Sequence, residues 1–253
     1  MTVYLIGPGD EIDSKIVTIN VTSRTKKPWS KAFSPFYLGP VSVTPFNEKE
    51  LVSKNFENAW QYCKVYQEYE QENKFRKWFL KGIKNPKAVR FPMGRGAKPL
   101  YSLWKGKHLQ YVEARFRIYA PLYAWCIENY AQEEFQRLKN LLTKHHKIAL
   151  FDFDGYDYLR AGFTLEQVMY NHSMKMGHGF VLAMMLTNNR VWEEDFDENK
   201  IFHTIVGKSK IGKKLFKMNE DDELNSIEKE NENEKEKEKE NEKENEKEKE
   251  KEK

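Results

Sequence analysis

The first fifty residues of the chain are patterned as β-strands. Residues 3–6 form a short apolar run that ends at a Gly-Pro-Gly turn, and residues 15–22 alternate apolar and polar side chains as a half-buried strand does. Residues 33–43 are rich in aromatic and β-branched side chains, but two prolines and a glycine interrupt them, which predicts an edge strand or an extended loop.

Beyond residue 50 the period of the pattern changes to that of helices. Apolar side chains recur every three to four positions in residues 55–69, 74–83, 111–130, 133–142, 164–170 and 179–186. Asn55 is the predicted N-cap of the first of these helices. Residues 85–107 are rich in Gly and Pro and predict a long ordered loop, whereas residues 148–153 predict one late, buried strand.

This order of elements predicts an α+β fold. We expect a mainly helical single domain with a small N-terminal strand region and the late strand at residues 148–153. A doubly wound nucleotide-binding fold is disfavoured, because strands do not alternate with helices. The sequence also contains neither Gly-x-x-x-x-Gly-Lys-Ser/Thr nor Gly-x-Gly-x-x-Gly.

Charge divides the chain into two regions. The net charge of the whole chain is +4, but residues 219–253 contain 17 Asp and Glu against 9 Lys, which leaves +12 for residues 1–218. The acidic segment has almost no apolar side chains and therefore cannot offset its ordering entropy. We predict a globular domain over residues 1–218 and a disordered, low-complexity Glu/Lys-rich tail over residues 219–253.

Composition argues against several classes of protein. No apolar run approaches the ~18–20 residues of a membrane-spanning helix, and the N-terminus does not resemble a signal peptide. Cys63 and Cys126 lie in apolar helical patterns, which predicts buried thiols in a reducing compartment and hence a cytoplasmic protein. Two Cys and six scattered His give no metal-ligand spacing, so we expect no metal. We also expect no cofactor and no membrane partner.

Glu57, Gln61 and Lys64 are the first candidates for chemistry. Their spacing of i, i+4 and i+7 places them on one stripe of a helix, next to the aromatic residues of the same segment. The stripe is either an ordinary solvated face or a site in which burial raises the pKa of Glu57 and fits it for acid–base catalysis.

Two glycine-containing segments are candidates for phosphate binding. In residues 93–96, glycines flank Arg95 and let the backbone approach a ligand, although an exposed turn has the same pattern. Gly177, His178 and Gly179 precede an apolar helix, so they mark either a turn into the core or a phosphate or ribose site at the helix N-terminus.

Asp152 and Asp154 follow the late strand as Asp-x-Asp-Gly. This resembles the first motif of haloacid-dehalogenase-type phosphatases, in which the first Asp is a nucleophile and the second a general acid. That fold needs several further strand–helix units, and only about 60 residues of foldable chain remain. We therefore favour carboxylates that cap a loop or line a cleft at the end of the strand.

Taken in order, segments between residues 33 and 190 resemble the NADAR (YbiA-like) family. The segments that correspond to family motifs are Phe33-Ser34-Pro35-Phe36-Tyr37 (Phe-Ser-Asn-Phe-Tyr), Glu57-x-x-x-Gln61-x-x-Lys64 (Glu-x-x-x-Gln-x-x-Lys), Gly94-Arg95 (Gly-Arg), Asp152 or Asp154 (Asp-x-x-Trp-Gly) and residues 179–185 (the Gly-rich closing helix). The chain departs from the family at Asp157, where the Trp would fall, and at Asn58, where the family usually has His.

The resemblance implies an N-glycosidase-like hydrolase acting on an ADP-ribose-type or related ribosyl-phosphate substrate, such as ADP-ribosylated guanine or nucleic acid. It implies Glu57 as the acid–base carboxylate, assisted by Asp152 or Asp154. The substrate-binding positions expected with it are Tyr37, Trp60, Gln61, Lys64, Arg95, Trp104, Gly177, His178 and Gly179. A positively charged body suits such a phosphate-bearing partner.

The second interpretation is a non-enzymatic nucleic-acid- or nucleotide-binding protein. Basic and aromatic residues interleave in residues 74–78 and 115–117, and residues 208–217 are basic. Solvated helix faces with buried aromatic side chains would give the same pattern. The two interpretations differ in one expectation, because the glycosidase requires Glu57, Arg95 and an Asp of residues 152–157 to meet in one aromatic cleft.

Overall fold

The late strand of the sequence is the middle strand of a parallel sheet in the computed structural model, which describes residues 1–47 and 50–207. The sheet consists of β1 (Thr2–Ile6), β2 (Val17–Asn20) and β8 (Lys147–Phe151), in the order β1-β8-β2. In the register Val3 lies opposite Ile148 and Ile19 opposite Leu150. The central position of β8 explains its continuous apolar run, because residues 148–150 are buried on both faces.

Two small antiparallel sheets and a set of helices complete the described fold. β3 (Val41–Val43) pairs with β4 (Leu51–Ser53), and β5 (Lys64–Val65), β6 (Tyr101–Trp104) and β7 (Lys107–Leu109) pair in chain order. The helices are α1 (Pro28–Lys31), α2 (Phe56–Tyr62), α3 (Glu72–Lys84), α4 (Tyr111–Ala114), α5 (Ala120–Tyr130), α6 (Gln132–His145), α7 (Leu165–Tyr170) and α8 (His178–Leu186). A π-helical turn, Arg115–Tyr119, joins α4 to α5, and 3-10 turns occupy Gln67–Tyr69, Val191–Glu193 and Glu198–Lys200.

The structure confirms the predicted α+β class, with a single compact domain, a small N-terminal strand region and one late buried strand. The proposed boundary at residue 218, the basic segment 208–217 and the acidic tail 219–253 lie outside the described residues. Within residues 1–47 and 50–207, every helix is too short or too polar to cross a membrane.

One helix prediction and one loop prediction need correction at their ends. Asn55 caps α2 as expected, accepting a hydrogen bond from the Asn58 amide, but the helix ends at Tyr62 rather than near residue 69. Lys64 begins β5 instead, where it pairs with Ser102 of β6. The predicted loop 85–107 is likewise shorter, because its last residues form β6 and β7; the irregular segment is residues 85–100.

The core is built around α8, which is apolar on every side. Its residues 178–185 are all buried, and it packs against β1, β8, α5 and α7. Cys63 and Cys126 are buried, free thiols, as predicted, and burial raises the pKa of each to about 12. This core fixes the ends of β8 and α8, from which the site described next is built.

Candidate functional site

A cavity of about 300 Å³ opens between α2, the irregular segment 85–100, the π-helical turn and the adjoining ends of β8 and α8. Its ionisable lining residues are Glu57, Lys64, Tyr66, Arg90, Tyr111, Arg115, Tyr119, Asp152, Asp154, Lys175 and His178. Its other polar and aromatic lining residues include Ser34, Phe36, Trp60, Gln61, Phe91 and Phe153. Carboxylates, cations and aromatic rings therefore meet in one enclosed space.

The Glu57 stripe faces this cavity rather than solvent. Glu57 lies in the first turn of α2 and is 6% exposed. The Gln61 Nε2 donates to Glu57 Oε1 at 2.9 Å, and the Lys64 Nζ donates to Gln61 Oε1 at 2.8 Å. Lys64 also lies over the Trp60 ring, 4.6 Å from its centre. The predicted stripe is thus a hydrogen-bonded chain, although Lys64 reaches it from β5.

Burial raises the pKa of Glu57 and lowers the pKa of Lys64, the two ends of this hydrogen-bonded series. Desolvation raises the pKa of Glu57, while the Gln61 hydrogen bond and the charges of Lys64 and Arg90 oppose the rise. Desolvation lowers the pKa of Lys64 to about 8, and the Glu57 carboxylate opposes that change. Such shifts are typical of acid–base groups at functional sites.

Asp152 follows β8 and is held from two sides. Its Oδ2 accepts from the Gly179 amide at 3.0 Å and lies 3.2 Å from His178 Nδ1. The other ring nitrogen of His178, Nε2, lies 2.8 Å from the Val21 carbonyl, so Nε2 carries a hydrogen. The His178 ring therefore bridges the Val21 carbonyl and the Asp152 carboxylate.

The two glycines of the predicted helix start are not among the residues that line the cavity, but they make room for Asp152. A Cβ on Gly177 would lie 2.0 Å from Asp152 Oδ2, and one on Gly179 would lie 3.1 Å from the Asp152 Cβ. Glycine at these positions lets the start of α8 approach the carboxylate. They therefore support the site from behind the cavity wall.

Asp154 is paired with cations from two other segments. The Arg90 Nη2 donates to its Oδ2 at 2.7 Å, and the Lys175 Nζ lies 4.0 Å from its Oδ1. The Arg90 guanidinium also lies over the rings of Phe91 and Phe153, at 5.3 and 5.6 Å from their centres. Arg90 thereby closes one side of the cavity.

Asn58 holds the segment that carries Arg90. Its Nδ2 donates to the carbonyls of Asn85 and Lys87 at 2.9 and 3.0 Å, and its Oδ1 accepts from the Val89 amide at 2.9 Å. Asn58 is buried, so these bonds satisfy the polar atoms of its own side chain. The asparagine of α2 is therefore an anchor for residues 85–89.

The structure brings most of the predicted site residues together, but not all. Glu57, Trp60, Gln61, Lys64, Asp152, Asp154 and His178 line the cavity. Arg95 is exposed and packs on Phe91 at 5.6 Å, while its neighbours Gly94 and Gly96 line the cavity. Tyr37 is 54% exposed, and Trp104 is buried in the core. Neither ring lines the cavity wall.

The lining residues that were not predicted as site residues include Arg90, Tyr111, Arg115, Tyr119 and Lys175. Nucleic-acid binding and a solvated helix face, the two interpretations of residues 115–117, both require an accessible Arg115, but Arg115 is 1% exposed, whereas Arg117 does face solvent. The signal lay in the spacing, because Tyr111, Arg115 and Tyr119 are four residues apart and all line the cavity. Arg90 and Lys175 carried no comparable pattern.

Tyr119 lies near both catalytic candidates. Burial raises its pKa well above the usual value, and the charges of Asp152 and Glu57 raise it further. Its ring packs edge-on against Trp60, with 4.9 Å between ring centres.

In the described part of the chain, no group of three or more His, Cys, Asp or Glu could hold a metal ion.

The comparisons with known proteins give a family without an assigned activity. Neither a curated protein nor a solved structure matches the chain significantly. The matching family model covers residues 11–158, which include Glu57, Arg90, Arg115 and both aspartates of the cavity. The chain belongs to this family, a family of unknown function (DUF6939).

Proposed function

We propose that this protein is an N-glycosidase that cleaves the C1′–N bond of a ribosyl phosphate, in an ADP-ribose-type or related substrate such as ADP-ribosylated guanine. The observation that carries the proposal is the meeting of the buried Glu57 with Asp152, Asp154 and the cations Lys64 and Arg90 in one aromatic cavity. The resemblance to the NADAR family supports it, because Glu57, Gln61 and Lys64 correspond to one of that family's motifs.

The chemistry of this bond matches the charges in the cavity. The transition state resembles an oxocarbenium ion, so nearby carboxylates stabilise the positive charge that develops at C1′. Gln61 holds Glu57 Oε1, which leaves Oε2 to accept a proton from the attacking water. The water oxygen bonds to C1′, the C1′–N bond breaks, and the departing nitrogen keeps the bonding electrons and is protonated by solvent. Asp152 and Asp154 supply the negative charge beside C1′.

The size and cations of the cavity favour one enclosed ribosyl phosphate unit. A volume of about 300 Å³ is at the lower end of ligand pockets. We expect the ribose and its phosphate to fill the cavity, with the rest of a larger substrate at the opening formed by Phe91, Gly94 and Gly96. Lys64 and Arg90 are then the cations that face the phosphate from the Glu57 side.

The substitution Glu57→Gln tests the proposal. We expect it to slow release of ADP-ribose from ADP-ribosylated guanosine by about 10²–10⁴-fold, measured by chromatography, because acid–base groups contribute factors of this size. The matched control is Glu133→Gln, which removes an exposed carboxylate from the first turn of α6. Unchanged turnover by folded Glu57→Gln would reject the assignment.

Nucleic-acid binding without catalysis is the second candidate, favoured by one feature of the opening. Phe91 is 41% exposed and carries the guanidinium groups of Arg90 and Arg95 over its ring, an arrangement suited to a base and its phosphate. The stretches 74–78 and 115–117 offer less, because Phe75 and Arg115 are buried. This candidate would be favoured if single-stranded RNA or DNA binds with a steep salt dependence and no cleavage product forms. Binding should then be weaker in Arg95→Gln.

The described residues do not contain the further strands that the phosphatase alternative requires. β8, which precedes Asp152, is already the middle strand of the sheet, and residues 152–207 add no strand to it. Asp152 Oδ2 is also bonded to Gly179 and His178, which restrains it as a nucleophile. We therefore do not propose a haloacid-dehalogenase-type reaction.

A further inference from the structure

One wall of the cavity contains a buried arginine, Arg115. Its side chain is 1% exposed and belongs to the π-helical turn between α4 and α5. Single π-turns inside helices occur frequently at functional sites. Here the turn places Arg115 and Tyr119 on the cavity wall together with Tyr111 of α4.

The Arg115 charge is solvated by backbone carbonyls and is not neutralised. Nη1 donates to the carbonyls of Val168, Met169 and Asn171 at 3.2, 3.1 and 2.9 Å, and Nη2 donates to the carbonyl of Met174. Within residues 1–47 and 50–207, no carboxylate forms an ion pair with Arg115. A guanidinium stays charged in proteins, and a buried charge is costly when no opposite charge pairs with it.

Hydrogen-bond donors of Arg115 and of Tyr156 also lack an acceptor in the described part of the chain. Arg115 Nε and the Tyr156 hydroxyl are both buried and have no hydrogen-bond partner among the described residues. One Nη2–H of Arg115 remains as well, because Met174 takes only one of the two. The Arg115 charge opposes the rise that burial causes in the pKa of Tyr156, so the two groups act on each other. Arg115 therefore brings to the cavity wall an unpaired donor and a positive charge that no described carboxylate balances, whereas Tyr156 does not line the cavity.

The cations of the cavity fall into two groups. The charges of Lys64 and Arg90 oppose the rise in the pKa of Glu57, and Arg90 also forms an ion pair with Asp154. Arg115 has no such carboxylate partner and acts on Tyr156 instead. The cations at the Glu57 side are therefore partly neutralised by acidic side chains, whereas Arg115 retains its charge for a ligand.

We propose that Arg115 is the anchor for the anionic group of the ligand, which on the proposed function is the phosphate of the ribosyl phosphate, bound at the wall formed by Tyr111, Arg115 and Tyr119. The Glu57 side then faces C1′, and the phosphate lies toward the π-helical turn. This assigns to Arg115 the phosphate-binding role that we predicted for Arg95, which is exposed and does not line the cavity.

The test measures binding of unreactive anions, ribose 5-phosphate and pyrophosphate, to the full chain by calorimetry at constant ionic strength. We expect Arg115→Gln to weaken binding by at least about tenfold, because charge-assisted hydrogen bonds exceed 1.4 kcal/mol. Arg115→Lys, which keeps the charge but cannot bond to the same four carbonyls, is expected to retain most of the affinity. The matched control is Arg117→Gln on the same turn, which faces solvent and should change affinity less than twofold.

Three outcomes would overturn the proposal. The first is wild-type protein that binds neither anion, and the second is Arg115→Gln that binds as wild type. The third is an equal loss in the Lys and Gln variants, which would mean that Arg115 only supports residues 168–174; thermal unfolding of each variant shows whether it is folded. Since no turnover is needed, Arg115-dependent binding without cleavage would reject the glycosidase and keep the anion site. Cleavage with unchanged Arg115→Gln binding would reject the anion site alone.

Discussion

Glu57 and Lys64 illustrate how one amide can connect two groups whose pKa values burial moves in opposite directions. Gln61 gives its NH₂ to the carboxylate and its carbonyl to the ammonium. The orientation of the amide is therefore fixed by its two partners. The pKa of the carboxyl group is raised and the pKa of the ammonium group is lowered because burial removes water from both. The charge of each group partly opposes the pKa shift of the other. Burial therefore narrows the gap between the pKa values of the two groups.

The first residue-scale prediction concerns the pH dependence of cleavage. A carboxylate that accepts a proton must be ionised, so kcat/KM should rise with pH through the elevated pKa of Glu57. It should fall again as Lys64 loses its proton near pH 8 and no longer attracts phosphate. Arg stays charged at all these pH values, so Lys64→Arg should remove the fall near pH 8. An identical alkaline limb in the variant would show that Lys64 does not cause it.

The second residue-scale prediction concerns stability. The pKa of Glu57 is higher in the folded than in the unfolded chain, so its contribution to stability is present below the unfolded pKa and is lost as pH rises through the folded pKa. Glu57→Gln removes this loss and should gain stability relative to wild type between pH 4.5 and pH 8. Thermal unfolding measures the change, with Glu133→Gln as the control. A gain that shrinks toward pH 8 would contradict the sign.

At the scale of elements, the sequence predicts what local patterns determine. The Asn55 cap, the capping box at Thr164 and Gln167 and the all-apolar α8 are local, and the structure confirms them. The end of α2 is not local, because β5 replaces the last helical turns through pairing with β6, almost forty residues away. A helical pattern alone cannot show that a distant strand competes for the same residues.

The site divides in the same way. Glu57, Gln61 and Lys64 were predictable from spacing, and Asp152 and Asp154 from their position at the end of a strand. Arg90 was not, because its partner Asp154 is 64 residues away. The spacing of Tyr111, Arg115 and Tyr119 could have placed Arg115 at the site, but its burial was not predictable, because the carbonyls that surround it come from residues 168–174, more than fifty residues later. Local spacing shows which side chains share a helix face, but not which distant backbone covers that face.

The element-scale prediction tests the approach of α8 to Asp152. A Cβ on Gly177 would lie 2.0 Å from Asp152 Oδ2 and 3.1 Å from the Asp154 Cβ, so the start of α8 must move. We expect Gly177→Ala to lower the free energy of unfolding by about 1–3 kcal/mol and to reduce cleavage. Gly207→Ala is the control, because nothing lies within 4 Å of a Cβ there. Unchanged unfolding of Gly177→Ala in denaturant would mean that the contact relaxes freely.

At the scale of the whole molecule, the last described residues brace the wall of the cavity. Residues 201–206 run beside residues 170–174, where Phe202 forms a parallel bridge with Asn171. The His172 amide donates to the Phe202 carbonyl at 2.9 Å, and the Asn171 Nδ2 donates to the Thr204 carbonyl at 2.8 Å. Asn171 also gives its own carbonyl to Arg115. Residues 201–206 and the proposed anion site are therefore connected through one buried asparagine.

Two truncations test this connection. Ending the chain after Gly207 keeps all of these contacts, so we expect unfolding and ribose 5-phosphate binding to match the full chain. Ending it after Lys200 leaves the fully buried Asn171 side chain without its partner in Thr204 and removes the Phe202 bridge. Because each unsatisfied buried polar group costs about 1–3 kcal/mol, stability should fall by about 2–4 kcal/mol, and phosphate binding should weaken as the carbonyls around Arg115 shift. Equal stability and affinity of the two truncated proteins would show that residues 201–207 do not brace the site.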